Sequence, residues 1–222
     1  IGGYVHPVGD SDPFAPENVA NPPVLLAVDG ILGNMDWLEV AVLWTDEIGT
    51  SEMWYRFLNV GSPILLAAGT DAMANFFRTM PLGVSRLYVL TQGKTSMAAY
   101  MEAMKQGRSF VTTGPMLEFE LDGAAPGDVV SGEVSARFKI DLASAVAVDL
   151  VEVIVNGLVV WSGPGLDGPG SRTYQGSIDL PAAGWVAVRA HGGETVWPAA
   201  DSYSFAHTSP VWIESIGSVA AD

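Results

Sequence analysis

The hydrophobic periodicity of this chain changes once, at Gly114-Pro115, and that change limits the folds open to it. Before this point, continuous apolar runs alternate with segments of helical period. After it, the helical period disappears and apolar residues fall at every second position. Strands alternating with helices predict parallel pairing through crossovers. A succession of half-buried strands predicts antiparallel sheets packed face to face. The sequence therefore reads as α/β plus all-β, divided into residues 1–115 and 116–222.

In the first part, "GGYVHP" reads as a short strand ending in a loop at Pro7, and residues 8–23 as a long loop rich in Pro, Asp and Asn. "PPVLLAVDGILG" reads as a turn followed by a short helix or strand. Trp37 to Trp44, "WLEVAVLW", reads as a buried strand. "GTSEMWYRFLNVG" is a helix capped by Thr50 or Ser51, with Met53, Trp54, Phe57 and Leu58 on one face. "SPILLAAG" is a continuous apolar run between breakers, the pattern of a fully buried parallel strand. "SRLYVLT" is a further strand. "KTSMAAYMEAMKQGR" is a helix capped by Thr95 or Ser96, with a stripe of Met97, Tyr100, Met101 and Met104, and stopped at Gly107. "SFVTT" closes this part as a strand.

In the second part, "SARFKIDLA" sets Phe138, Ile140 and Leu142 against Arg137, Lys139 and Asp141. "VEVIVNGLVVW" contains Asn156-Gly157, a type I′ hairpin signal. "MLEFELDG", "TYQGSIDL", "GWVAVRAHG" and "SPVWIES" add further strands, and residues 163–171, "GPGLDGPGS", read as a glycine-rich loop. About seven short strands with frequent turns fit an Ig-like antiparallel β-sandwich.

Composition narrows the classes of partner. Hydrophobic residues make up 49% and charged residues 16%, which is the balance of a packed globular chain. Ten Lys and Arg against 25 Asp and Glu give a net charge of −15. That charge argues against a nucleic acid partner and against an anionic membrane surface. With no cysteine, disulfides, thiolate metal sites and cysteine nucleophiles are excluded. No apolar run is long enough for a membrane helix, and no signal peptide is visible. The chain opens on Ile1 without a starting Met, so it is read as a fragment.

Several side chains stand where chemistry is commonly placed. His6 ends a strand and is either a metal ligand or a loop histidine bonded to backbone. Asp71 directly follows a buried apolar strand, where carboxylates serve as ligands but also as helix caps and Asx turns. Glu39 lies inside an apolar strand and needs a partner. It is a ligand, a partner for Arg56 or Arg86, or the solvent-facing residue of an edge strand. Asp29 and Asp36 read as turn or cap residues, and His191 and His207 as loop contacts at strand ends. Arg108 follows a helix end, where it binds an anion or the helix dipole. There is no phosphate loop, no G-x-S-x-G and no evident Ser-His-Asp set.

Five segments together carry a resemblance: "GYVHP", "WYRFLNVGSPILLAAGTDAMANF", "PLGVSRLYV", "GRSFVTTGPMLEFELDGAAPGD" and "FAHTSPVWI". Nearly the whole chain resembles the C-terminal half of PHP-like metallohydrolases of the CehA/McbA type. The resemblance implies that residues 1–115 are the C-terminal portion of a distorted (β/α)7 barrel, followed by the sandwich in 116–222. It implies hydrolysis of a phosphoester, carbamate or amide in a small-molecule substrate by a metal-bound hydroxide. Zn, Mn or Fe would be the divalent metal of the intact parent protein. His6 and Asp71 match ligand positions of that family. Met73 stands where its pattern has His, and Glu39 and Met73 are supporting positions around the metal. The remaining ligands would lie upstream of Ile1.

On this reading the chain is inactive alone, binds metal weakly at best and self-associates through an incomplete barrel edge. The alternative is a non-catalytic module, built on the sandwich, for ligand binding or assembly.

Overall fold

The computed structural model describes residues 2–7, 24–42, 45–73, 81–194, 196–197, 199 and 203–215. The proposed loop at 8–23, Trp44, and residues 74–80 after Met73 lie outside the described residues. The first part contains β1 (Gly3–Tyr4), α1 (Val24–Leu32), β2 (Trp37–Ala41), α2 (Glu47–Asn59), β3 (Leu65–Ala68), β4 (Arg86–Val89), α3 (Met97–Lys105) and β5 (Ser109–Thr112). Then come β6 (Met116–Leu121), β7 (Val129–Ser131), β8 (Ser135–Ser144), β9 (Val148–Val155) and β10 (Leu158–Leu166). They are followed by β11 (Gly170–Asp179), β12 (Gly184–Gly192), β13 (Ser204–Thr208) and β14 (Val211–Glu214).

Three sheets form. A small parallel sheet has the order β1-β2-β3. A middle sheet runs β10-β9-β12-β13-β5-β4, with β14 and β7 continuing beside β12. The outer sheet is β11-β8-β6, antiparallel throughout. β13 and β14 pair with successive stretches of β12 and are interrupted at Ser209-Pro210, where proline has no N–H to give to a ladder.

The central strands of the middle sheet are covered on both faces. Toward the outer sheet, Val151, Val153, Val155, Val186, Val188 and Ala190 meet Leu117, Phe119, Phe138, Ile140 and Leu142 in the sandwich core. On its other face, Ile154, Trp185, Ala187, Phe205 and Val111 meet Met53, Trp54, Tyr55, Leu38 and Leu66. The alternation in 135–144 is therefore observed, with Ala136, Phe138, Ile140 and Leu142 turned inward. The hairpin at Asn156-Gly157 is also observed: both residues have positive φ, 50° and 86°, and join β9 to β10.

The (β/α)7 barrel is not what these residues build. Among the described residues of the first part, the parallel neighbours are β1, β2 and β3, and β4 does not extend them; the other parallel pair, β7 with β14, lies in the second part. β4 pairs antiparallel with β5, Leu87 opposite Val111, as the edge of the middle sheet. The helix between them, α3, therefore returns the chain beside itself and makes no parallel crossover. An alternation of strand and helix is common to both arrangements, and strand direction separates them.

Local readings are refined in the same way. The segment 24–32 is helical, and its Gly30 lies against the Phe57 ring of α2. α2 starts earlier than Thr50: Asp46 caps it, accepting from the N–H groups of Ile48 and Gly49. Thr50 and Ser51 instead bond back to the carbonyls of Asp46 and Glu47. A Cβ at Gly49 would sit 2.9 Å from the Asp46 carboxylate, which explains a glycine in the first turn. Of the two cap candidates Thr95 and Ser96, Ser96 caps α3. Residues 163–166 and 170–171 belong to β10 and β11, so the glycine-rich loop shrinks to the passage between two sheets.

Trp185 is 1% exposed, donates from Nε1 to Asn59 Oδ1 at 2.8 Å and ties the middle sheet to α2. Trp185→Ala is expected to cost about 3–5 kcal/mol. Because the two cores share one sheet, circular dichroism and fluorescence should still report a single unfolding transition in urea. Two separated transitions in the parent protein would contradict this packing.

Candidate functional site

The carboxyl ends of β1, β2 and β3 bring three sequence candidates into one region. Glu39, on the central strand, is buried at 7% exposure, and its Oε2 accepts the backbone N–H of His6 at 2.9 Å. Gly69, just past β3, is packed against the same carboxylate, and a Cβ there would sit 2.1 Å from Glu39 Oε1. Burial raises the Glu39 pKa; the His6 N–H and the His6 ring oppose the shift, and Asp71 adds to it. His6 is exposed with φ +31°, and Asp71 is half-buried with φ +50°, both left-handed conformations rare outside glycine. Met73 is 44% exposed. Among the described residues, no set of three or more His, Asp and Glu side chains is gathered so as to hold a metal ion.

A second cluster is polar and lies under α2 on the middle sheet. His207 is fully buried and its Nδ1 lies 2.8 Å from the carbonyl of Thr208. That contact places the proton on Nδ1, so Nε2 accepts from Tyr55 Oη at 2.5 Å. Burial is the main cause that lowers the His207 pKa, to about 3, and the cation of Arg189 contributes; burial also raises the Tyr55 hydroxyl. Beside this pair, Glu152 Oε2 accepts from Arg189 Nε at 2.9 Å and Nη2 at 2.7 Å, and His191 Nε2 lies 3.0 Å away. His207 and His191 are thus strand residues within an internal network. The sequence reading singles out neither Glu152 nor Arg189. Their signal is a charge set in each of two apolar strands, "VEVIV" and "VAVRA", which register directly opposite one another.

The third feature is a cleft of about 340 Å³ at the open edge of the sandwich, where β4 and β5 face the outer sheet's edge strand β6. It is lined by Leu117, Phe119 and Thr208 together with Tyr88, Leu90 and Phe110. The Tyr88 and Phe110 rings are stacked, centroids 5.0 Å apart and planes 11° from parallel, and the Arg86 guanidinium lies 5.8 Å from the Tyr88 centroid. Arg108 borders the same cleft and reaches toward Asp128 at 3.8 Å. A wider hollow of about 560 Å³ on the outer sheet is lined by Asp122, Arg137, Lys139 and Gln175 and is polar.

No family model matches this chain, and no curated protein matches it. Among solved structures, a crystal structure of a CARDB domain from Pyrococcus furiosus in complex with di-metal ions is 15% identical. It covers 46% of this chain and 94% of that domain, with a TM-score of 0.32. A solution structure of the same CARDB domain is 20% identical and covers 45% of this chain and 95% of that one, TM-score 0.32. The C-terminal domain of wzt is 13% identical and covers 48% of this chain and 75% of that one, TM-score 0.28. The resemblance to PHP-like metallohydrolases is corrected accordingly. None of these structures is a metallohydrolase, no family model of that kind matches, and the described residues form mainly antiparallel sheets.

His207 and Glu39 give opposite pH dependences. His207 is held neutral in the fold, so the unfolded chain binds its proton first. Stability should fall as pH drops from about 6.5 toward 3, by up to about 1.4 kcal/mol per pH unit from this group. His207→Gln should reduce that slope by one proton in urea unfolding at pH 4 to 7, and an unchanged slope would contradict the assignment. Glu39 has a raised pKa in the fold, so its carboxylate costs stability as pH rises above about 4.5. Glu39→Gln should therefore gain on the parent protein with rising pH in the same series. A gap that is flat or shrinks would refute this.

Proposed function

We propose that this chain is a non-catalytic binding module whose recognition surface is the open edge of its β-sandwich. The observation that carries this reading is the apolar cleft between β4, β5 and β6. There a stacked Tyr88–Phe110 pair and an exposed Leu90 continue the sandwich core out to the surface. Pockets of this size, mostly apolar with a few polar groups at the rim, are the usual form of a recognition site. The polar groups at depth are already engaged with one another: His207 with Tyr55, and Glu152 with Arg189 and His191. They support the scaffold that presents the cleft. The net charge of −15 makes a neutral or cationic partner the fitting one, in preference to a nucleic acid or an anionic membrane.

A neutral apolar dye, Nile red, is the direct probe. One molecule per chain should bind with blue-shifted emission. Leu90→Glu, at a position 56% exposed, should abolish that binding without lowering the unfolding midpoint. The reading is overturned if Leu90→Glu leaves dye binding intact. It is also overturned if the purified chain turns over p-nitrophenyl phosphate or p-nitrophenyl acetate above background with Zn or Mn.

A further inference from the structure

The two sheets of the sandwich do not end together. The outer sheet stops at β6, which packs over β13 and β12, whereas the middle sheet continues through β5 to β4. The overhang leaves Tyr88 36% and Leu90 56% exposed, with Phe110 half-buried beside them. Among the described residues, β6 has one lateral neighbour, β8, so the other side of Met116–Glu120 presents free N–H and C=O groups. The ledge is formed by β5 and β4, with an apolar floor and a hydrogen-bonding wall.

The charges on that wall choose the occupant. Along β6, Leu117, Phe119 and Leu121 point inward while Met116, Glu118 and Glu120 point outward. Glu118 registers with Asp141, and Glu120 with Lys139, whose ammonium is committed to Asp141 at 2.5 Å. No ion pair joins Glu118 or Glu120 to a cation among the described residues. A second copy of this chain pairing antiparallel through β6 about Phe119 would set Glu118 and Glu120 against the same two residues, and like charges directly opposite are destabilising. A strand with basic residues at those positions would be stabilised there instead.

We infer that β6 accepts an extended peptide of about six residues as an added strand. Its alternate side chains are apolar, seated on Tyr88, Leu90 and Phe110, and basic, opposite Glu118 and Glu120. Main-chain hydrogen bonds to β6 would supply affinity, and the alternation would supply selectivity. This inference rests on the reading of the sandwich edge as a recognition surface and names the chemistry of its partner.

The test uses the full chain with the synthetic peptide Lys-Val-Lys-Tyr-Lys-Val and its acidic counterpart Glu-Val-Glu-Tyr-Glu-Val. Binding is followed by fluorescence anisotropy and by amide chemical shifts. The basic peptide should bind more weakly as salt rises, with the largest shifts at residues 86–90 and 116–120. The double variant Glu118→Lys, Glu120→Lys, both on the exposed face, should lose about tenfold in affinity for it and gain affinity for the acidic one. The inference is overturned if both peptides bind alike, if the double variant binds unchanged, or if the shifts lie away from β6. Concentration-dependent dimerisation through β6 would also overturn it. If Nile red binds at Leu90 while the basic peptide does not bind, strand addition fails and the binding-module reading stands. If neither binds, both fail.

Discussion

The rest of the structure depends on one strand, β12, being hidden on both faces. Val186, Val188 and Ala190 face the outer sheet, while Trp185, Ala187 and Arg189 face α2 and the parallel sheet. A strand of this kind has no solvent side, so alternation fails and every position is apolar or internally paired. Arg189 is the exception that follows from the rule. Being buried, it is bound twice by Glu152 on the neighbouring strand, because an unpaired charge at that depth would be strongly destabilising. The same demand reaches β13, where buried His207 stays neutral and is bonded at both ring nitrogens.

Covering the second face of the middle sheet explains the first part of the chain. α2 packs against both β2 and β12 and is buried along most of its length, including Ser51, Trp54 and Tyr55. Three parallel strands then close the layer behind it. The carboxyl ends of those strands converge on Glu39, whose burial is made possible by the N–H of His6 and by the missing side chain at Gly69. At the other boundary of the middle sheet, no described strand of the outer sheet lies over β4. There the middle sheet outruns the outer sheet, and the core aromatics emerge at the surface.

Much of this was legible in the sequence, and the gaps have physical causes. Period-2 alternation in 135–144, the Asn156-Gly157 turn and a cap at Thr95 or Ser96 are local signals, and each is present, the cap at Ser96. Strand direction is not local. "SRLYVLT", a helix and "SFVTT" fit a parallel crossover as well as the antiparallel pair that forms, and the barrel expectation enters through that ambiguity. A segment such as "GRSFVTTGP" holds one strand, β5, with its flanking turns, and that fixes nothing about the direction of the strands beside it. At the candidate site, the burial of Glu39 is readable from its apolar neighbours, but its donor is a backbone N–H 33 residues away, which no side-chain pattern encodes. The polar network is not local either, since Glu152 and Arg189 meet only through strand register.

The central claim is that a single middle sheet, its central strands buried on both faces, makes the parallel layer and the sandwich one cooperative unit. Native-state hydrogen exchange tests it most directly by comparing amides of β2 and β3 with those of β9 and β12. The account predicts that both groups exchange through the same global opening, with equal free energies and equal denaturant dependence. Exchange of residues 38–41 and 65–68 through a separate opening, lower by about 2 kcal/mol or more while β9 and β12 stay protected, would contradict it.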